Sequence, residues 1–327
     1  MLRRGHRMAA SLAGAALAAA PLLAIPSPAA GETVGGEQLG GTRPKVLLAA
    51  GAEPLPKVAA ATWILADAQT GAVLAAKGAH VRRAPASTLK MLTALAVMPG
   101  TSPEQTWTAT RKAAYTYGSR VGLRPGKTYS MDDLWQAVFL ESANDAAIGV
   151  AQANGGVGTT IRQMNAIARQ LQADDTRART PNGLDAPGQT SSAYDLALIA
   201  RAGLKRADFA HYAGMARGSF PNSKGKGRHT IYTTNRLLLH GWKGMIGVKT
   251  GFTSRAGRTY VGAARRHGRT LIVALMGITE SSESAARSLL SWGFANADAV
   301  QPIGTLVEPL AADPRPPQQG IQIPISQ

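Results

Sequence analysis

The chain of 327 residues contains no cysteine. Disulfide bonds, a thiol nucleophile and cysteine metal sites are therefore excluded. Six histidines are present, but their spacings match no common metal-binding motif, which disfavours a zinc peptidase. We expect neither a metal nor a cofactor.

Acidic and aromatic residues are scarce. Lys and Arg number 36 against 19 Asp and Glu, the net charge is +17, and aromatic residues make up 5% of the chain. Three of the charges are arginines within the first 30 residues, which leaves +14 for the remainder. This excess indicates anionic surroundings such as cell-wall polymers or lipid headgroups, although a merely solvated basic surface explains it equally well. The basic stretches at 224–228 and 265–269 carry no aromatic residues for base stacking, so we expect no nucleic-acid partner.

Long apolar runs are missing after the first 30 residues. An arginine-rich start is followed by an Ala/Leu-rich run at 8–25 and by the small residues Ser27-Pro28-Ala29. This pattern is typical of a signal peptide over residues 1–30, cleaved near Ala29 or Ala30, and it predicts a secreted, extracytoplasmic protein. An uncleaved membrane anchor is the alternative, which Pro21 and the high alanine content make less favourable.

Composition divides the rest of the chain into three parts. Residues 31–55 are rich in Gly, Pro and Ala, which predicts a flexible linker. Residues 56–300 are long enough for one α/β domain with a substantial core. Residues 301–327 are proline-rich, which predicts a disordered tail.

Three short motifs follow one another along this domain, and the first is Ser87-Thr88-Leu89-Lys90. Pro85-Ala86 precedes it, and apolar residues follow at helical spacing, so we place Ser87 on the first turn of a helix. Residues three apart share a helix face, and the amine of Lys90 can therefore take the proton of the Ser87 hydroxyl. The alternative is an N-cap serine with a surface lysine. A second copy of the pattern, Ser223-Lys224-Gly225-Lys226, stands among Pro and Gly and indicates a basic loop.

The second motif is Ser142-Ala143-Asn144. Residues 131–149 predict a helix, a break and a second helix, with the motif at the junction. There Ser142 would pass protons between Lys90 and a departing amine, and the Asn144 amide would bind a substrate carbonyl. A turn in which both side chains bond their own backbone is the alternative.

The third motif, Lys249-Thr250-Gly251, ends an apolar run that predicts a strand, and further strands are expected at 258–263 and 271–278. An ammonium beside a hydroxyl suits a terminal carboxylate, and glycine permits a peptide to approach the strand edge. The backbone N–H groups of Ser87 and Phe252 would together form an oxyanion hole. An ordinary strand end closing in a turn is the alternative.

With these motifs, the sequence resembles the serine-type D-alanyl-D-alanine carboxypeptidases, which are low-molecular-weight penicillin-binding proteins of the β-lactamase/transpeptidase-like superfamily. The resemblance spans residues 56–298. Its further segments are Trp63–Leu74, Arg82–Met98, Met164-Asn165, Asn182-Gly183-Leu184, Tyr194-Asp195-Leu196 and Leu289–Phe294.

The resemblance implies an α/β (α+β) fold, in which an antiparallel sheet flanked by helices carries an inserted all-helical subdomain. It also implies roles for the motif residues. Ser87, Lys90, Ser142 and Asn144 are the expected catalytic residues, and Lys249, Thr250 and Gly251 the expected substrate-binding residues.

The implied reaction removes the terminal D-alanine from peptidoglycan stem peptides through an acyl-serine, and β-lactams are expected as covalent inhibitors. Class A β-lactamases of the same superfamily use a glutamate between the second and third motifs, and no glutamate lies between Asn144 and Lys249. Efficient penicillin turnover is therefore not expected. The alternatives are a DD-endopeptidase or transpeptidase with the same catalytic set, and a catalytically silent wall-binding homologue.

Overall fold

The computed structural model describes residues 1–2, 33–222 and 226–311. The predicted signal peptide, beyond its first two residues, lies outside the described residues. So do the chain from 312 onward and most of the second Ser-x-x-Lys pattern.

Strands and helices alternate irregularly along the described chain. The strands are β1 (Pro44–Leu48), β2 (Ala60–Asp67), β3 (Ala72–Lys77), β4 (Thr106–Thr108), β5 (Thr128–Ser130), β6 (Arg217–Pro221), β7 (Arg228–Tyr232), β8 (Met245–Thr253), β9 (Gly257–Arg266), β10 (Arg269–Ile278), β11 (Val300–Gln301) and β12 (Gly304–Thr305). The α-helices are α1 (Lys90–Val97), α2 (Arg111–Ala114), α3 (Met131–Phe139), α4 (Asn144–Ala153), α5 (Val157–Gln170), α6 (Ala193–Leu204), α7 (Ala207–Ala213), α8 (Arg236–Leu239) and α9 (Ser282–Asn296).

The central sheet has eight strands in the order β11-β1-β3-β2-β10-β9-β8, with β12 paired to β3. All its strand pairs are antiparallel. The chain leaves the sheet after β3 and returns at β8, and α1 to α8 lie in this insertion with the small sheets β4-β5 and β6-β7. The predicted antiparallel sheet with an inserted helical part is thereby confirmed.

Both faces of the sheet are covered, which explains why its central strands are apolar at nearly every position. Along β2, Ile64 and Ala66 face the core shared with the inserted helices, whereas Trp63 and Leu65 face the core shared with α9. β10 alternates in the same way between the two cores. Side chains of successive strand residues point to opposite faces, so a continuous apolar strand fills both cores.

Local signals in the sequence explain several boundaries. Helices α3 and α4 form the predicted helix-break-helix, and Ser130 caps α3 in a reciprocal capping box with Asp133. β9 and β10 join at His267-Gly268, whose φ angles of 48° and 80° are positive, as a tight two-residue hairpin turn requires. Ser87 lies on a 3₁₀ turn, Ala86–Leu89, which continues directly into α1.

The segments predicted as linker and tail each contain a short strand. Residues 44–48 form β1, which pairs with β3 and β11, and Leu39 is buried in the core. After residue 300, β12 pairs with β3 and Leu306 is buried. Residues 44–48 therefore form a strand where the sequence predicted a linker, because strands of two to five residues leave too few apolar positions for a periodic pattern.

Among the described residues, no helix has both the length and the apolar character that a bilayer crossing demands.

Candidate active site

Ser87 lies at a backbone position that tight packing holds in place. Ala86, the residue before it, has a φ of 51°, in the left-handed region that non-glycine residues rarely occupy. Two glycines press against this turn: a Cβ on Gly183 would lie 2.0 Å from the Ala86 carbonyl oxygen, and one on Gly251 would lie 2.8 Å from the Ser87 nitrogen. Backbone strain of this kind persists only where the surroundings over-determine it.

Lys90 is fully buried, and its amine contacts three oxygens. Nζ lies 2.8 Å from Ser87 Oγ, 2.8 Å from Asn144 Oδ1 and 2.7 Å from the backbone oxygen of Asn182. Burial and the nearby charge of Lys249 hold the pKa of Lys90 well below its usual value, against an opposing effect of Asp145. A neutral amine has two N–H groups and one lone pair. When Asn144 and Asn182 accept the two N–H groups, the lone pair faces the Ser87 hydroxyl, which then donates to it.

Ser142 lies between α3 and α4 in a strained backbone conformation, with a φ of 56°. Its side chain is buried, and among the residues that the structure describes its Oγ has no hydrogen-bond partner. Buried hydroxyls without partners are rare, and strained residues cluster at functional sites. Both features match a hydroxyl that finds its partner only in a complex.

Asn144 is the first residue of α4, and hydrogen bonds at both ends of its side-chain amide fix its orientation. Its Oδ1 accepts from Lys90, and its Nδ2 donates to the carbonyl of Tyr117 at 2.8 Å. The loop that carries Tyr117 is held by Asp145, whose buried carboxylate accepts from three successive backbone N–H groups at residues 121–123. Asp145 was not among the predicted site residues, although an acid in the first turn of α4 is a capping signal.

The third motif lies on β8, the strand at one edge of the central sheet. Lys249 is 1% exposed, and burial lowers its pKa to about 7. Its Nζ donates to the backbone oxygen of Thr250, and the Thr250 hydroxyl shares a 2.7 Å hydrogen bond with Thr234. The charge of Lys249 in turn disfavours the ammonium form of Lys90.

Phe252 follows the motif on β8, where it pairs in register with Arg258 of β9. Its side chain is 66% exposed. An exposed aromatic ring beside a cavity offers an apolar contact surface to a ligand.

A cavity of about 480 Å³ opens in front of these residues. Ser87, Asn144 and Phe252 line it together with the loop residues Tyr117, Gly118, Ser119, Leu184, Asp185, Thr253 and Ser254. The three motifs thus meet beside this crevice, since Lys90 joins the first motif to the second and Gly251 contacts the Ser87 turn. Of the motif residues, Ser87 and Asn144 line the cavity itself. The Tyr117 side of the crevice had no sequence signal, because it comes from an irregular loop.

One cluster in the described chain has metal-ligand residue types. His80, Asp175 and Asp195 offer ligand atoms within 4.8 Å of one another. The His80 ring is already engaged at both nitrogens, by Asp175 Oδ2 at 2.9 Å and by the Val34 carbonyl at 3.0 Å. Both ring nitrogens therefore point at protein oxygens rather than at a shared metal position.

The chain is similar to known proteins in sequence and in fold. A family model described as D-alanyl-D-alanine carboxypeptidase matches residues 49–280. The D-alanyl-D-alanine carboxypeptidase DacB2 of Mycobacterium tuberculosis is 38% identical over 253 residues, which cover 75% of this chain and 86% of that protein. Several other curated carboxypeptidases are longer, and the chain spans about two thirds of their length.

Two solved structures are similar in fold. The crystal structure of a D-alanyl-D-alanine carboxypeptidase from M. tuberculosis has 37% sequence identity and a TM-score of 0.73, and covers 81% of this chain and 100% of its own. A mutant of the Streptomyces K15 DD-transpeptidase has 28% identity and a TM-score of 0.70, and covers 73% and 99% of the two chains. This chain belongs to the D-alanyl-D-alanine carboxypeptidase family.

Proposed function

We propose that the chain removes the terminal D-alanine from peptidoglycan stem peptides through an ester on Ser87, and that β-lactams form a corresponding ester on the same hydroxyl. One observation carries the assignment of the nucleophile. The Ser87 hydroxyl lies 2.8 Å from a buried amine whose pKa is lowered and whose two other contacts are hydrogen-bond acceptors. That arrangement makes Lys90 a base directed at Ser87.

Acylation begins when Ser87 Oγ attacks the carbonyl carbon of the penultimate D-alanine and its proton passes to Lys90. The C–N bond to the terminal D-alanine then breaks, and the departing amine takes up a proton. Ser142 is proposed to relay it, because its buried hydroxyl has no other partner in the described chain. The free second N–H of the Asn144 amide can bind the carbonyl of the preceding stem-peptide residue.

The backbone N–H groups of Ser87 and Phe252 are proposed to stabilise the negative charge that develops on the substrate oxygen. Support comes from the packing of β8 against the Ser87 turn, which brings Gly251 next to the Ser87 nitrogen. The narrow fit holds the two backbones at a fixed separation. Preorganised donors stabilise an oxyanion more than mobile ones, because they need not reorient during the reaction.

Recognition of the terminal carboxylate is proposed for Lys249, Thr250 and Gly251. Substrate binding brings a negative charge to the buried amine of Lys249, which favours its ammonium form. The Thr250 hydroxyl can add a hydrogen bond to the carboxylate. Gly251 has no side chain, so the peptide can approach the strand closely. The stem-peptide end and the penicillin carboxylate would use the same residues.

Water is the proposed acceptor of the acyl group, which gives hydrolysis. Transfer of the acyl group to an amine is the alternative, and the similarity to a DD-transpeptidase is the reason to test it. Incubation with a synthetic pentapeptide and a D-amino acid acceptor separates the two reactions. Free D-alanine with a tetrapeptide supports hydrolysis, whereas an exchanged peptide as the main product contradicts it.

Mass spectrometry of the intact protein and of its proteolytic peptides after penicillin exposure tests the serine assignment. An adduct of one penicillin on the peptide containing Ser87 supports it, and no adduct on Ser87→Ala is the matched expectation. If the unchanged protein gained no mass, the chain would be a silent homologue. An adduct retained in Ser87→Ala would contradict the assignment.

Export by the predicted signal peptide is proposed on the sequence of residues 1–30 and on the substrate, which lies outside the cytoplasmic membrane. The mature protein would begin near residue 30 or 31. Sequencing of the N-terminus from the culture medium or cell envelope tests the cleavage. A protein that starts at Met1 and remains with the membrane would contradict it.

A further inference from the structure

A cavity larger than the catalytic crevice lies elsewhere in the described chain. It is an open groove of about 820 Å³ between the exposed face of α5 and the loop at 174–190. Its lining includes the arginines Arg82, Arg162, Arg169, Arg177 and Arg179 and the carboxylates of Asp174 and Asp175. We call this surface the arginine groove.

Most of its positive charge is available to a ligand. Asp175 is occupied by His80 and by Arg82, at 2.9 and 3.0 Å. The other four arginines are exposed, and none lies within ion-pair distance of a carboxylate in the parts of the chain that the structure describes. Unpaired guanidinium groups around a concavity focus a positive potential there.

Hydrogen bonds order the backbone of the loop that forms one side of the groove. Arg177 and Thr190 exchange two backbone hydrogen bonds that close the base of the loop. Within the loop, the Gln189 side chain accepts from the backbone N–H groups of Arg179 and Thr180. The arginines are thereby presented by ordered backbone, which reduces the entropy lost on binding.

The same loop forms one wall of the active site. Its inner side supplies the Asn182 carbonyl that Lys90 contacts and the Pro181 carbonyl that accepts from Thr93. Leu184 and Asp185 then line the catalytic cavity. A polymer bound in the arginine groove would therefore be separated from the active site by the loop at 174–190.

We propose that the arginine groove binds a linear polyanion of the cell wall, one that carries phosphate or carboxylate groups at intervals along a flexible chain. Arg162 and Arg169 stand two helical turns apart on α5, about 10 Å along the axis, so a chain of charges fits them better than a single small anion. Guanidinium groups bind phosphate and carboxylate in the same bidentate manner. None of the lining residues is aromatic, so the groove offers nothing for nucleobases to stack upon.

The test compares two triple variants that lose the same charge. Arg162→Gln, Arg169→Gln and Arg177→Gln remove the groove charges, and Arg43→Gln, Arg217→Gln and Arg287→Gln remove exposed arginines elsewhere. Binding of fluorescent polyphosphate and of fluorescent poly-glutamate to the mature protein is measured over a range of salt concentrations. Binding of polyphosphate alone, of poly-glutamate alone or of both identifies the anionic group.

We expect the groove variant to bind at least tenfold more weakly at 0.1 M salt, and the slope of log affinity against log salt to fall by about two to three. The control variant should change much less. Equal losses in both variants, or no binding by the unchanged protein, would overturn the proposal. So would tighter binding of oligothymidylate than of either polymer through the same arginines.

Penicillin acylation is recorded for every variant and should not change, because none of the six arginines contacts the catalytic residues. This second measurement keeps the arginine groove independent of the assignment of Ser87. It also shows that each variant is folded. Failure of polymer binding with normal acylation rejects only the groove.

Discussion

The backbone carbonyl of Asn182 accepts a hydrogen bond of 2.7 Å from the amine of Lys90, and it does so from a loop 92 residues further along the chain. Lys90 therefore depends on the loop at 174–190 for its orientation as well as on its own helix. The next loop residue, Gly183, packs against the turn that holds Ser87.

Replacing Gly183 by Ala is expected to displace Ser87. The new Cβ would lie 2.0 Å from the Ala86 carbonyl oxygen, and φ at this position is 78°. Penicillin acylation should fall by at least tenfold, and the melting temperature should fall as well. Gly241→Ala is the matched control, since φ there is 64° and nothing lies within 4 Å of a new Cβ. If both variants lost acylation equally, backbone strain alone would explain the effect and the packing argument would fail.

Lys90→Met is expected to abolish penicillin labelling while the protein remains folded. The substitution removes the base but keeps most of the side-chain volume in a fully buried position. It also removes a buried amine whose ammonium form the fold disfavours. Labelling by fluorescent penicillin and thermal unfolding are the two measurements. Full labelling in a folded Lys90→Met protein would exclude the base role.

Ser142→Ala should lower the catalytic rate and leave the stability of the fold nearly unchanged. In the described structure the hydroxyl has no partner, so its loss leaves no donor or acceptor unsatisfied and the melting temperature should change little. Hydrolysis of a D-Ala-D-Ala peptide should fall by about 10²-fold, the usual contribution of a proton-transfer group. A normal rate would remove Ser142 from the mechanism, and a large loss of stability would show a bonded, structural hydroxyl instead.

The pH dependence of kcat/KM should be bell-shaped. Lys90 must be neutral to accept the proton, so the rate rises as pH increases through its lowered pKa. Lys249 binds the carboxylate best as an ammonium, so the rate falls again as pH increases through about 7. The two amines interact, so the limbs report the pair rather than single residues. A rate that climbs steadily to pH 10 would contradict the carboxylate role of Lys249.

Lys249→Met should raise KM for the peptide and also stabilise the fold. The folded pKa of about 7 lies below the unfolded value of 10.5, so the unfolded chain binds more protons, and this lysine's cost to stability shrinks as pH rises between these values. We expect a gain in unfolding free energy of about 2 kcal/mol or more at pH 6, and a smaller gain at pH 9. Urea unfolding at both pH values measures it. A larger gain at pH 9 would contradict the direction of the pKa shift.

Local signals in the sequence were sufficient wherever a few neighbouring residues decide the structure. The capping box at Ser130, the apolar run of β10 and the tight turn at His267-Gly268 each act within a few residues. The spacing of Ser87 and Lys90 likewise brings their side chains together, because one helical turn is a local distance. These features were predictable from the residues alone.

The remaining features were decided by tertiary packing. Only the fold brings the Asn182 carbonyl and the Asn144 amide to Lys90, and only burial in that fold lowers the pKa values of Lys90 and Lys249. The short strand β1 is held in the sheet by β3 and β11, which lie more than 20 residues away in sequence. Composition alone therefore suggested a linker. The arginine groove is equally non-local, since Arg82, α5 and the loop at 174–190 meet only when the chain is folded. Residue types determined which chemistry was possible, and desolvation with long-range contact decided where that chemistry acts.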